Sequence, residues 1–408
     1  MNNRWMALVV LCCCVFQFTL NWFCVVPAFP AVAHEYGLSI PQVAGLVAAF
    51  VAGYGICHLP AGWLSARIGM RRALLTGVAI QAIASLLSTA TTSYEAMLAA
   101  RVVAGAGGAC CLGAAVGLVS AWFGGKELSF AMGMTTGVAF ALGAGMGLFL
   151  WALVVAAIGW RSALVVAGVI GLGVLFVAWV MPLVPSGGQR DLDGGHLSLH
   201  AVRRVLSNGP LWMWGMSIVG SYGAFFTTAQ FVPIYAERVL HLSPPEAGRI
   251  GALLLLSGIP AAMLGGWISD RFGRVKLLIC GAFIISGIAT VLLPRFDASG
   301  LQAAAIAIGL ITMIGLTPWF SMPAMFPDRI PLSDVPAASG LMLSLAAMGG
   351  FVVPLGFGHI VATSGFSSGW IYLGIVSIVF TVFGLFAPSP KHRRSVANRM
   401  QTDPAQAR

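Results

Sequence analysis

Charged residues are scarce in this sequence. Only 8% of its 408 residues are Asp, Glu, Lys or Arg, whereas soluble globular domains carry about 25%. So few charges could not cover the surface of a water-soluble protein of this length. Hydrophobic residues make up 59% of the chain and come in blocks of about 20, the length that crosses a ~30 Å hydrocarbon core. The composition therefore excludes a soluble fold and predicts an all-α integral membrane protein.

Patterns that hold metals or cofactors, or that catalyse reactions, are also missing from the sequence. The eight cysteines lie in apolar blocks without a CxxC spacing, and neighbours such as Cys110 and Cys111 are typical of small packing residues. The sequence contains no HExxH segment, no carboxylate pair and no nucleophile beside a base. We therefore expect no metal, no cofactor and no enzymatic activity.

Polar, glycine and proline residues divide the apolar sequence into twelve blocks. The predicted spans are 6–29, 42–64, 73–90, 96–122, 130–157, 161–183, 211–236, 247–268, 277–293, 302–325, 335–361 and 369–387. The longest polar stretch separates six blocks from six. We predict an N-terminal six-helix bundle over 1–184, a cytoplasmic linker over 185–210, a C-terminal six-helix bundle over 211–390 and a basic cytoplasmic tail over 391–408.

Lysines and arginines collect on one side of these spans. With a cytoplasmic N-terminus, 17 of the 22 lie in inside segments, and only Arg161, Arg238, Arg249 and Arg295 lie outside. This positive-inside pattern predicts a multi-pass protein of the bacterial inner membrane with both termini in the cytoplasm. The net charge of +10 is therefore a topology signal. We expect the lipid bilayer, and no nucleic acid, as a partner.

A short segment recurs in the two halves of the chain. Residues 62–69 read GWLSARIG, and residues 266–273 read GWISDRFG, 204 positions later. Basic residues follow both copies. The offset is half the chain length, which indicates two duplicated halves. Parallel halves of this kind are a known transporter plan, with the solute site between them near the middle of the membrane.

The repeated segments resemble the signature loops of the major facilitator superfamily, Gly-x-x-x-Asp-Arg-x-Gly-x-Arg-Arg. The second copy, 266–276, departs from the pattern only at Val275, and the first copy, 62–72, has Ala66 in place of the acid. A further family feature is Arg101 with Gly105 four positions later. The resemblance implies a monomeric secondary transporter with twelve transmembrane helices in two six-helix halves, which rock to expose a central site to each side in turn.

In the family, the signature loops help to latch the two halves together. The resemblance assigns this gating role to Gly62, Arg67, Gly69, Arg71, Arg72, Gly266, Asp270, Arg271, Gly273 and Arg274. Because Ala66 has no carboxylate to face a helix N-terminus, the latch of the first half must be missing or made differently. Asp270 is the candidate for the surviving latch; the alternative is a solvated loop acid.

Acidic residues are absent from the middle of every predicted span. The twelve are Glu35, Glu95, Glu127, Asp191, Asp193, Glu237, Glu246, Asp270, Asp297, Asp328, Asp334 and Asp403. Proton-coupled exporters of cationic drugs usually need a buried carboxylate. The glycine-rich fifth span, 133–147, also lacks the proline of the family's antiporter motif. Both absences argue against a cation exporter.

Two ionisable residues do lie within spans, where charge is costly. Arg101 is predicted to line the central cavity and attract an anionic solute, because its planar fork suits a carboxylate; the alternative is packing against neighbouring helices. His58 is the candidate residue for carrying a coupling proton; its alternative is a hydrogen-bonded packing role. Protons are accordingly a candidate coupling ion.

Polar and aromatic residues of the first, second, seventh and tenth spans form a candidate cavity lining. They are Gln17, Asn21, Tyr54, Tyr222, Thr228, Gln230 and Trp319. Pro318 and Pro323 predict a bend beside Trp319, because proline frees a backbone carbonyl and permits a kink. Interhelical packing is an equally valid interpretation of each residue.

Two transport functions remain open from the sequence. The first is a transporter of a small organic anion, such as a monocarboxylate, by proton symport or anion exchange. The alternative is an exporter of hydrophobic or aromatic compounds, which the many Phe, Trp and Met residues would suit. An acid in the first, fourth or seventh span would favour an exporter of cations, and none is found there.

Overall fold

The computed structural model of the chain describes residues 3–123, 125–184, 199–326, 330 and 335–389. The N-half contains helices α1 (Asn3–Phe23), α2 (Phe29–Tyr36), α3 (Ile40–Ile68), α4 (Met70–Thr89), α5 (Tyr94–Trp122), α6 (Gly125–Met132), α7 (Phe140–Ile158) and α8 (Trp160–Val180). The C-half contains α9 (Leu199–Leu206), α10 (Gly209–Val239), α11 (Pro244–Leu256), α12 (Gly258–Phe272), α13 (Val275–Leu292), α14 (Ala298–Phe320) and α15 (Val335–Phe386).

Ten segments of this all-helical fold are long and apolar enough to cross a membrane. One of them, Ala338–Phe386, turns at Gly365 and so consists of two helices. Helix α10 is not among the ten, although it is 31 residues long. Dividing the kinked segment gives eleven helices that could cross a membrane. The count of twelve, which needs α10 as well, stays a prediction. Residues 185–198 of the predicted linker and the tail 391–408 lie outside the described residues.

The second predicted span of each half begins with the same local structure, at the start of α3 and of α11. Ser39 and Gln42 form a capping box at α3, and Ser243 and Glu246 form one at α11. The side chains of Gln42 and Glu246 accept hydrogen bonds from the backbone N–H groups of the two serines at 2.9 and 3.0 Å. Such reciprocal bonds satisfy donors that a helix start leaves unpaired. The two boxes are 204 residues apart, which extends the repeat seen in the sequence.

The first predicted span, 6–29, is not one continuous helix. Helix α1 ends at Phe23, and a 3₁₀ turn over Val26–Ala28 leads into α2. Pro27 lies in that turn, and because proline has no N–H it cannot donate to the carbonyl four residues earlier. The break therefore follows from proline chemistry and leaves carbonyl groups of the last turn of α1 without helical partners.

Both ends of the described chain lie on one side of the bundle. An ion pair at 3.0 Å joins Arg4 near the start of α1 to Glu127 near the start of α6. Trp214 near the start of α10 donates to the Pro388 carbonyl at 3.1 Å. We call this side, where the described chain begins and ends, the terminal face, and the opposite side the loop face.

The two halves touch each other in the part nearer the loop face. A Cβ atom placed on Gly358 of α15 would lie 2.5 Å from Ala44 of α3, and one placed on Gly55 would lie 2.7 Å from Ala347. Helices α7 and α11 approach each other in the same way at Gly248 and Leu148. These approaches use small residues, as membrane helix contacts generally do.

Contacts between the halves decrease toward the terminal face. Ile56 and Trp63 of α3 are 74% and 56% exposed, and Met263 of α12 is 76% exposed. These residues follow directly on the segments that meet near the loop face. A Cβ atom on Gly62, two turns beyond Gly55 on α3, would meet no atom within 4 Å. The close contact between the halves along α3 therefore ends before this turn.

Within the N-half, α3 and α5 pack backbone against backbone. A Cβ atom on Gly53 would overlap the carbonyl of Val102, and one on Gly105 would overlap the carbonyl of Phe50. This contact holds Phe50 and Arg101 in register. Helix packing therefore explains Gly105, the glycine that follows Arg101 by four positions in the family feature described above.

We predict that Gly105→Ala lowers the thermal stability of the purified protein, because the added methyl must force α3 and α5 apart. Overpacking of this kind costs about 1–3 kcal/mol. Gly113→Ala is the matched control on the same helix, since a Cβ there meets no atom within 4 Å. The control should be neutral or stabilised, because alanine favours a helix by up to ~1 kcal/mol over glycine. Equal melting temperatures for both variants in thermal unfolding would contradict the packing described.

Candidate functional site

Seven aromatic rings meet where the halves join in the middle of the bundle. We call them the interface aromatic cluster; its members are Phe18, Trp22, Phe50, Tyr54, Phe140, Tyr222 and Phe226. The stack at its centre crosses between the halves: the Trp22 and Phe226 ring centroids are 5.1 Å apart with an interplanar angle of 19°. This spacing is that of an attractive offset stack.

Four helices bring these rings together. Phe18 and Trp22 come from the last turns of α1, Phe50 and Tyr54 from the middle of α3, and Tyr222 and Phe226 from the middle of α10. Phe140 starts α7, directly after the π-helical segment Gly133–Ala139. The repeat offset of 204 relates Trp22 to Phe226 and Phe18 to Tyr222, so the central stack pairs equivalent positions of the two halves.

The cluster is closed on most sides. Trp22, Phe18 and Phe50 are fully buried, while Tyr222 and Phe140 are half-buried. On the side toward the terminal face, the His58 ring lies 4.3 Å from the Tyr54 ring, one helical turn further along α3. His58 Nε2 is buried and makes no hydrogen bond to a described residue. The predicted residues Tyr54, His58 and Tyr222 therefore belong to one site.

Arg101 lies behind this cluster, inside the N-half. Its Nη1 and Nη2 atoms donate to the carbonyls of Asn21 and Trp22 at 3.3 and 2.9 Å. Its guanidinium carbon is 4.7 Å from the centre of the Phe50 ring, a cation–π distance. The side chain is only 3% exposed. Arg101 therefore caps the broken end of α1, where the helix dipole favours a positive charge.

A small cavity beside Arg101 is lined by residues of α1, α4, α5 and α8, including Asn21, Ser85 and Ser88. Within the described part of the chain, Arg101 Nε and Asn21 Nδ2 have no hydrogen-bond partner. The buried amide of Gln17 points toward α8, because a Cβ on Gly171 would lie 2.8 Å from its Nε2. Gln17, Asn21 and Arg101 thus come together in the interior of the N-half.

The remaining predicted lining residues lie in the C-half. Thr228 and Gln230 are buried in α10, and Gln230 donates to the Phe226 carbonyl at 3.0 Å. Trp319 is buried in a core cluster of C-half residues and donates to the Trp214 carbonyl at 2.8 Å. Helix α14 ends at Phe320, just after Pro318, where the sequence predicts a bend. In this conformation Trp319 lies away from the interface aromatic cluster.

The signature loops turn at the terminal face. Gly69 and Gly273 have φ angles of 86° and 67°, which explains why both copies place glycine there. Arg71 donates to the Trp179 carbonyl in the last turn of α8. Arg67 lies over the Trp63 ring at 4.3 Å. The latch role of these loops stays a prediction, and the side chains of Ala66 and Asp270 lie outside the description.

The described acidic residues lie at helix ends, as the sequence predicts. Glu35 near the end of α2 pairs with Arg161 at 2.6 Å, and Trp160 donates to the same carboxylate at 2.9 Å. Both partners belong to the N-half at the loop face. Within the described residues, no carboxylate lies within ion-pair distance of Arg101. Asp334 lies outside the description.

Trp22, Phe140 and Phe226 are site residues that the sequence reasoning missed. For Trp22 and Phe226 a signal was present in the repeat, because the offset of 204 makes them equivalent positions of the two halves. The repeat gives no such signal for Phe140, whose equivalent is Ser344. Gln81 is a further buried amide of the N-half without a hydrogen-bond partner among the described residues. It was overlooked as a single polar residue in an apolar block.

Similar proteins were found among both sequences and structures. A protein of Cupriavidus necator named probable sulfoacetate transporter SauU is 25% identical over 390 residues, covering 89% of each chain. The D-galactonate transporter of Escherichia coli is 22% identical over 382 residues, covering 85% of this chain and 87% of its own.

The fold is similar to that of a crystal structure of a bacterial homologue of the human lysosomal transporter Spinster, in an inward-facing and occupied conformation. The TM-score is 0.76 at 17% identity, over 95% of this chain and 97% of the other. The sequence model of the Major Facilitator Superfamily matches residues 11–322 and 238–407, which together cover nearly the whole chain. The protein is therefore a membrane transporter that belongs to the Major Facilitator Superfamily.

Proposed function

We propose that this protein is a secondary transporter of small organic anions. The observation that carries the proposal is the buried guanidinium of Arg101, which has no carboxylate partner within the described part of the chain. Carbonyl dipoles solvate it but leave its net charge uncancelled. An uncompensated charge in a membrane interior is costly, so it favours the entry of an anion nearby.

The relatives support an anionic solute. By their names, SauU carries sulfoacetate and the Escherichia coli protein carries D-galactonate, and both solutes are organic acids. Proteins of about 25% identity share a fold more securely than a substrate. The proposal therefore extends to the class of organic anions, and a monocarboxylate is its simplest member.

The conformation suggests how access would alternate. The halves meet near the loop face through glycine and alanine, and this close contact ends before Gly62 near the terminal face. We infer from the positive-inside pattern that the terminal face lies in the cytoplasm of a bacterial cell, so the proposed conformation is open to the inside. Rocking of the halves about the interface aromatic cluster would close the terminal face and open the loop face.

Export of hydrophobic or aromatic compounds is the second candidate function. The observation that favours it is the interface aromatic cluster, which offers a ring surface between the halves. The two candidates differ in what the solute must carry. An anion transporter requires a negative charge on the solute, whereas the exporter would accept neutral or cationic compounds.

We predict that Arg101→Gln strongly weakens the stabilisation of the purified protein by small carboxylates. Glutamine keeps a polar N–H donor in the site, but it is shorter than arginine and carries no charge. A ligand at ~100 times its Kd stabilises the wild type by about 2.7 kcal/mol, which thermal unfolding detects readily. Affinity should fall by about tenfold or more, because hydrogen bonds to charged groups contribute about 1.5–3 kcal/mol.

Arg101→Lys is the matched variant for this experiment, because it keeps the positive charge and loses the planar guanidinium group with its parallel N–H donors. It should retain weakened carboxylate binding. Inorganic anions, sugars and cationic drugs are tested alongside. If Arg101→Gln binds carboxylates like the wild type, or if only neutral and cationic compounds stabilise the wild type, the anion proposal is wrong.

For coupling, we propose that His58 carries a proton, since its Nε2 atom is buried beside the interface aromatic cluster and has no hydrogen-bond partner among the described residues. We predict that His58→Gln abolishes solute accumulation driven by an imposed pH gradient in proteoliposomes, while solute exchange without a gradient continues. His359→Gln, at an exposed position of α15, should behave like the wild type. Gradient-driven accumulation that survives in His58→Gln would rule out this role.

A further inference from the structure

We infer that the transported anion has a flat aromatic body, as in an aromatic carboxylate, and that this body binds between Trp22 and Phe226. The inference rests on the proposed function and names the substrate class of the same site. Trp22 belongs to the N-half and Phe226 to the C-half, and their near-parallel rings form the central contact between the halves. A solute between them would touch both halves at once.

The geometry of the stack suits a third ring. The two planes differ by only 19°, so a modest separation of the halves would open a slot with parallel walls. A ring inserted there would contact each wall at the usual ~4.5–7 Å centroid spacing of aromatic pairs. The inserted ring would stack on Trp22 and on Phe226. These two contacts would offset the loss of the direct contact between Trp22 and Phe226.

The polar groups at the cluster are too few for a polyhydroxylated acid. Described groups that could bond a solute there are the hydroxyls of Tyr54 and Tyr222, His58 Nε2, Trp22 Nε1 and, one turn along α10 from Phe226, Gln230 Oε1. A sugar acid carries a hydroxyl on almost every carbon, and each hydroxyl buried without a partner is penalised. An aromatic body brings no such requirement.

Two of the three candidate amides, those of Gln17 and Asn21, point away from the slot. Gln17 faces Gly171 of α8, and Asn21 lines the small cavity inside the N-half. Both are nearly inaccessible. A solute held between the halves would therefore contact aromatic rings. The amide groups of Gln17 and Asn21 lie inside the N-half and would not contact it.

The ring of Phe50 separates the guanidinium group of Arg101 from the slot. Its guanidinium carbon is 4.7 Å from the centre of Phe50, and Phe50 stacks on Trp22 at 5.0 Å. Arg101 also holds the Trp22 carbonyl. A carboxylate at one end of a flat solute would be attracted toward the N-half side of the slot, which orients the ring between the two walls.

The test compares matched compounds on the wild-type protein in detergent, measured as ligand-dependent thermal stabilisation. The compounds are benzoate, phenylacetate, D-galactonate and benzamide, the neutral counterpart of benzoate. Benzoate or phenylacetate should stabilise the protein at concentrations at least tenfold below any effect of galactonate, and benzamide should have no effect. This comparison needs no variant and is unaffected by folding defects.

Two matched variants then locate the aromatic site. Phe226→Leu removes one wall of the slot and should weaken benzoate binding by about two- to tenfold, the loss expected for one aromatic pair worth ~0.5–1.5 kcal/mol. Phe357→Leu removes an equally buried ring of the C-half, which pairs with Phe231 at 4.9 Å. The control should leave benzoate affinity unchanged.

The outcomes separate this inference from the proposed function. If galactonate binds at least as tightly as the aromatic acids, or if Phe226→Leu binds benzoate like the control, the aromatic inference is overturned while anion transport stands. If benzamide binds as well as benzoate, the charge is not recognised and the proposed function fails. If none of the four compounds stabilises the protein, the aromatic inference is overturned as well.

Discussion

A break in the first helix sets the arrangement of the site. Pro27 cannot donate a hydrogen bond, so α1 ends early and leaves backbone carbonyls in a region without bulk water. Arg101 satisfies two of them, at Asn21 and Trp22. The arginine thereby fixes the residue whose ring contacts the other half. One charged side chain thus links the backbone of α1, the packing of α5 and the contact between the halves.

The fold was predictable from the sequence, because a bilayer imposes span lengths and the repeat identifies the two halves. The break after Phe23 was missed, since a proline near a helix end was read as lying within a span. Gln17 and Asn21 were expected to face the solute. The helices at the centre of the bundle are buried on every side. The spacing of polar residues alone therefore could not show which face of such a helix contacts the partner half. The repeat relates Trp22 to Phe226, but the contact between their rings depends on how the two halves pack in three dimensions.

The two halves share a fold but differ in their polar interiors. In the C-half, buried hydroxyls pair with each other, as in Ser221 with Ser377 at 2.9 Å and Ser286 with Thr312 at 2.6 Å. The position 204 residues beyond Arg101 is Ala305. The buried arginine therefore belongs to one half alone. An anion between the halves would be held electrostatically by the N-half and by ring contacts on both sides.

Alternating access requires that the two arrangements of the halves have similar free energies. A solute can shift such an equilibrium only by its differential affinity for the two arrangements. Contacts between small residues in a membrane gain little from the hydrophobic effect, because lipid is as apolar as the helices. The Trp22–Phe226 stack contributes about 0.5–1.5 kcal/mol, which is small enough for one bound ring to replace. Among the described residues no ion pair crosses the interface of glycine, alanine and stacked rings, so the halves can open and close at a small cost in free energy.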